Sequence, residues 1–107
     1  MTTPLTLDTA QASDGKLALV VAGEIDLSNI DEFNQALVTA AETTGGHRAL
    51  LVDLSAVEYL DSAAISALAS HADRIEVVAH PILMSVLRIS GLSELTSVQA
   101  APPTAGQ

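Results

Sequence analysis

At 107 residues the chain has room for one hydrophobic core and little else. Thirteen acids against Lys16, Arg48, Arg74 and Arg88 give a net charge of −9, which excludes the basic footprint that nucleic acid or an anionic membrane surface requires and favours a basic partner. There is no cysteine, hence no disulfide framework and no thiolate metal site.

Leu5-Thr6-Leu7-Asp8 alternates apolar and polar, as a half-buried strand does. Ser13-Asp14-Gly15-Lys16 is a turn signal, and the unbroken apolar run 17–22 predicts a second strand, antiparallel to the first. That strand ends at Gly23-Glu24-Ile25-Asp26. Ser28-Asn29 reads as a capping pair for a helix with apolar residues at 30, 33, 37, 40 and 41 and acids at 31 and 32. Thr43-Thr44-Gly45-Gly46 stops it. Residues 49–54 predict a buried strand, and 55–60 a loop.

A second helix is expected from Asp61 or Ser62, with Ile65, Leu68, Ala69 and Ala72 facing inward. Residues 75–79 predict a fourth strand, with Glu76 at an exposed or edge position. Pro81 suits the first turn of a third helix that runs to about Ser90, where Gly91 is a fitting stop and Leu92 its apolar contact. Residues 95–99 predict a fifth strand, and 100–107, with Pro102-Pro103, a loose tail. The expected order is β-β-α-β-α-β-α-β, an α/β domain over 1–99 whose sheet is mostly parallel with an antiparallel first strand at its edge. The apolar runs are too short to cross a bilayer, and 1–4 carry no basic segment leading into a long apolar run, so a cytoplasmic protein is expected.

Sites in such sheets gather where strands hand over to helices. Two handovers carry acids, 23–28 and 59–62, and on one rim of the sheet Asp26, Asp61 and Ser62 become neighbours. Ser62 has two readings. It can cap its helix, which stabilises by ~1 kcal/mol. Alternatively its hydroxyl is exposed for modification, where a phosphate adds about −1.5 to −2 charge at a helix end that tolerates it.

Gly23-Glu24-Ile25-Asp26-Leu27, Val52-Asp53-Leu54-Ser55-Ala56-Val57, Leu60-Asp61-Ser62 and Ser90-Gly91-Leu92 together resemble, in order and rough spacing, STAS domains, and among them bacterial anti-sigma factor antagonists. The resemblance implies a protein-binding switch that regulates transcription, with no enzymatic activity and no cofactor. Unphosphorylated, such an antagonist binds an anti-sigma factor that is also a serine kinase and so frees a sigma factor; the kinase phosphorylates the serine that matches Ser62, and a serine phosphatase resets it. The partner surface so implied comprises Asp26, Leu27, Ser28, Asp61, Ser62, Ala63 and Ile65. Two departures stand out: Ala64 and Ser66 fill the family's two glycine positions, placing β-carbons where a partner would approach, and the second helix with the turn after it looks short by roughly two helical turns. The other function the resemblance implies is an unphosphorylated STAS subunit of a lipid-transport ABC complex or signalling scaffold, in which Ser62 only caps its helix.

Sharper chemistry finds less support. A nucleophilic Ser62 with His71 or His80 as base lacks a Gly-x-Ser-x-Gly elbow. A magnesium site on Asp26, Asp53 and Asp61, as in a phosphate-receiver domain, lacks that domain's lysine, because the one lysine is Lys16 in the first hairpin.

Overall fold

A computed structural model describes residues 4–11, 15–44 and 49–102. Five strands form one sheet in the order β1-β2-β3-β4-β5. β1 (Thr6–Gln11) runs antiparallel to β2 (Leu17–Ile25), while β3 (Leu50–Leu60), β4 (Ile75–Ala79) and β5 (Ser97–Ala100) continue parallel to β2. The crossovers carry α1 (Ile30–Thr43), α2 (Ser62–Ser70), α3 (Met84–Ile89) and α4 (Leu92–Leu95). The expected order of strands and helices therefore holds, with α4 as an additional short helix. The turn residues Ser13 and Asp14, the Gly45-Gly46 stop, His47, Arg48 and 103–107 lie outside the described residues.

One face of the sheet is buried. Leu19, Val21, Ile25, Val52, Leu54, Ile75 and Val77 alternate along the central strands and meet Phe33 and Leu37 of α1, Ala64 and Leu68 of α2, Leu87 of α3 and Leu92 of α4. Burying a side chain the size of Phe33 or Leu37 stabilises by roughly 1.5–3 kcal/mol, so this layer holds the fold. The opposite face, with Val20, Leu51, Asp53 and Val78, is half-buried at every one of those positions. Lys16 reaches across it to form a salt bridge with Glu76 of β4, which is half-buried on an interior strand and not at the exposed or edge position expected from sequence.

Three local expectations change. The segment 55–60 is strand, not loop: β3 stays paired with β2 from Ala18↔Leu51 to Ile25↔Leu60. A register shift between Val20 and Ala22 absorbs the break in apolar alternation. At that irregularity Asp53 Oδ1 accepts from Ser55 N at 3.0 Å and from Ser55 Oγ at 2.6 Å. The inner stripe of α2 is Ala64, Ala67 and Leu68, with Ile65 and Ala69 half-buried on its flank. Asn29 does precede α1, but its side chain does not cap it; it donates back to Glu24 O and accepts from Asp26 N, both at 2.9 Å.

The expected stop after α3 is present. Gly91 has φ +87, a left-handed conformation that glycine adopts without strain. Its N–H and that of Ser90 return to Arg88 O and Val86 O, and Leu92 follows into the core.

Candidate functional site

The parallel pairing of β2 and β3 puts their C-terminal ends on one rim, while β4 ends earlier, at Ala79 opposite Leu54. Ile25 and Leu60 are the last paired residues of β2 and β3, and Asp61 N donates to Ile25 O at 3.2 Å. Asp26 and Asp61 therefore leave adjacent strand ends, about 5 Å apart at strand spacing. The structure brings together the two acidic handovers that the sequence singled out.

Asp61 caps α2. Its backbone is extended, and Oδ1 accepts from Ala63 N at 3.0 Å and Ala64 N at 3.1 Å. This satisfies two of the N–H groups that a helix start leaves open. Ser62 is thereby relieved of the capping role: it is the first residue of α2, exposed, and its hydroxyl makes no hydrogen bond among the described residues. Of the two readings of Ser62 at the sequence level, the geometry assigns the cap to its neighbour.

The other half of the rim is a tight turn. Asp26 Oδ1 accepts from the backbone N–H and hydroxyl of Ser28, and Asn29 N donates to Asp26 O at 3.1 Å. These bonds, with those of the Asn29 side chain, lift Leu27 out of the protein at 76% exposure. Leucine held that far into solvent buries little in the isolated chain. Ala63 and Ile65 are half-buried on α2, Ser28 exposed beside Leu27.

Ala64 is fully buried against the core, so its β-carbon does not stand where a partner would approach. Ser66 is exposed, and there the expected β-carbon does reach the surface. The rim bears Asp26 and Asp61, and the ion pair between described residues, Lys16–Glu76, lies on the open sheet face instead. Negative charge at the rim is therefore not neutralised locally.

Sequence reasoning passed over a neighbouring feature. Ile82, Val86 and Ile89 are exposed along the 3₁₀ turn Pro81–Leu83 and α3. Their spacing of four and three places them on one helical face, and that spacing was the available signal. The turn starts where β4 ends, opposite Leu54 and six residues back along β3 from Leu60. His80 stands there too, but its Nδ1 accepts from Ile82 N at 3.0 Å and caps the turn. His71 closes the far end of α2. No group of three or more His, Cys, Asp or Glu among the described residues is placed to hold a metal ion, and no described helix is long and apolar enough to cross a membrane.

This sheet, with its antiparallel first strand and a capped helix rising from the end of β3, defines a STAS-type α/β module. Residues 9–98 match the family model described as Mlab, STAS domain, and the chain belongs to that family. An anti-sigma factor antagonist from Mycobacterium paratuberculosis is similar throughout, with 27% identity and a TM-score of 0.80 over 98% of this chain and 92% of that one. The fold is shared with the unphosphorylated anti-sigma factor antagonist SpoIIAA, at 13% identity and a TM-score of 0.68 over 91% of this chain and 89% of that one. It is shared also with part of SLC26A9, at 14% identity and a TM-score of 0.66, where 91% of this chain corresponds to 22% of that one. No curated protein matches the sequence.

Proposed function

We propose that the chain is an anti-sigma factor antagonist: a protein-binding module that, unphosphorylated, engages an anti-sigma factor with serine kinase activity and is released when that kinase phosphorylates Ser62. The observation that carries this reading is the division of labour at α2, where Asp61 caps the helix and leaves the Ser62 hydroxyl exposed and unbonded. The likeness to the mycobacterial antagonist over nearly the whole of both chains supports it. The contact surface in this reading is Asp26, Leu27, Ser28, Asp61, Ser62, Ala63 and Ile65.

Phosphate on Ser62 sits at the positive end of the α2 dipole, so the fold tolerates it. Outwardly it adds negative charge beside Asp26 and Asp61. A basic partner surface matched to two carboxylates and to Leu27 then meets a bulky dianion in place of a hydroxyl, and the apolar contact is wedged open. The test is incubation with the anti-sigma factor kinase and ATP, read by intact mass. One phosphate at Ser62, absent in Ser62→Ala, is expected; a label on another residue overturns the mechanism. A phosphatase that resets the switch should return the mass to its starting value.

A second reading, an unphosphorylated STAS subunit of a lipid-transport ABC complex or signalling scaffold, is favoured by Ser66, whose exposed β-carbon stands at a position the antagonists fill with glycine. Affinity capture from native lysate separates the two: a kinase of ATPase fold supports the first, a transporter ATPase the second.

A further inference from the structure

The apolar alternation of β1 stops early. Leu5 and Leu7 pack toward α1, but the next positions on that side of the strand are Thr9 and Gln11. On α1, the small residues Ala36 and Ala40 stand opposite, among Glu32, Gln35, Thr39 and Thr43. Between strand and helix this leaves an open groove of about 630 Å³ whose apolar wall includes Leu7, Leu17 and Ala36, with Glu32 on the helix side, while Asp8, paired with Val20, projects from the other face of β1. Among the described residues β1 pairs on one side only. In an antiparallel strand, alternate residues direct their N–H and C=O groups outward, so the groove runs beside an unpaired backbone edge. Natural edges are blunted by proline, lysine or shortness. The β5 edge has four residues; β1 has six, and neither proline nor lysine falls within it.

We infer that this groove binds an extended basic segment of a partner protein, which adds as a strand to β1 and inserts alternate apolar side chains between β1 and α1. Strand addition supplies main-chain hydrogen bonds for affinity and a pocket on alternate positions for specificity. Charge selects the occupant: Asp8 projects from the face of β1 that the intervening positions of an added strand share, and Glu32 lines the helix side of the groove, on a chain of net charge −9, so lysine or arginine at the intervening positions is attracted. A second copy of this chain carries the same acids to the same place and is repelled. The site lies beside β1 and α1, apart from α2, and acts independently of the state of Ser62.

The test uses an acetylated, amidated hexapeptide of alternating leucine and lysine, titrated into the ¹⁵N-labelled full chain. Expected is one peptide per chain, with amide shifts in Thr6–Gln11 and the facing side of α1, and affinity that falls as salt rises. Ala36→Phe, which fills the groove, should weaken binding by at least about tenfold; so should Asp8→Lys combined with Glu32→Lys, a surface change that leaves the core alone. Ser62→Glu should bind the peptide as the parent does, so a failure of the phosphorylation switch and a failure of this site read differently. Shifts confined to the α2 rim, equal binding of the peptide with glutamate in place of lysine, or a dimer in sedimentation that occupies β1 would each overturn the inference.

Discussion

A β-carbon on Gly23 would lie 2.1 Å from the carbonyl oxygen of Pro4. The chain enters β1 directly over β2 at this point, and Gly23 has φ +100 to allow it. The glycine of Gly23-Glu24-Ile25-Asp26 is thus an architectural residue, while the aspartate at the end of the same string belongs to the rim. Gly23→Ala should cost about 2–3 kcal/mol from backbone conformation and displacement of Pro4. A lower urea midpoint at unchanged slope is the expected measurement; a midpoint within error of the parent contradicts the close approach.

The cap and the proposed switch should separate by mutation. Asp61→Ala removes both bonds to Ala63 N and Ala64 N and should cost about 1 kcal/mol. Asp61→Asn keeps an acceptor and should recover most of that. Ser62→Ala deletes a hydroxyl that bonds nothing among the described residues and should change stability by less than about 0.5 kcal/mol. Thermal unfolding of the three variants checks the order, and a large loss in Ser62→Ala would return the capping role to Ser62.

The sequence made the rim legible because both of its acids end apolar runs that are recognisably strands. Strand ends are marked by composition, and the parallel order then aligns them without any long-range information. What stayed hidden depends on pairing. Ser55, Glu58 and Tyr59 interrupt the apolar pattern of β3, so 55–60 resembles a loop until β2 is laid beside it and the register shift is visible. The role of Asn29 escaped for a related reason: a capping residue type stands in the capping position, but the nearby Glu24 carbonyl and Asp26 N–H claim its side chain. The four residues of α4 are too few to show a period.

Leu27 offers the cleanest test of the partner surface. It is held out at 76% exposure by hydrogen bonds that do not involve its side chain. Leu27→Ala should therefore leave the unfolding midpoint where it is and weaken anti-sigma factor binding by about tenfold or more, as loss of an apolar anchor does. Calorimetric titration reads the affinity. Unchanged affinity would remove Leu27 from the interface.

Asp26 should behave differently, because its carboxylate both faces the rim and ties down Ser28. Asp26→Asn keeps an acceptor for the Ser28 N–H and removes the charge, whereas Asp26→Ala removes both. If charge is what the partner reads, the two variants lose affinity alike and the loss shrinks at high salt. If turn geometry is what matters, Asp26→Asn retains most of the affinity and Asp26→Ala does not.

The irregularity in β3 gives a last prediction, since it sets where the strand delivers Asp61. Asp53 Oδ1 accepts from both the N–H and the hydroxyl of Ser55, satisfying a backbone donor where the register with β2 shifts. Asp53→Ala leaves that half-buried N–H without its acceptor and should cost about 1–3 kcal/mol. The damage should be local: hydrogen exchange should accelerate in 55–60 and in the paired end of β2, while β4, joined to β3 before the shift through Leu50↔Ile75 to Leu54↔Ala79, keeps its protection. Phosphorylation of Ser62 should slow in this variant even though Asp53 lies well back from the rim, because the strand that positions α2 has lost its anchor. Uniform acceleration across the sheet would mean that Asp53 supports the whole fold instead of this one register.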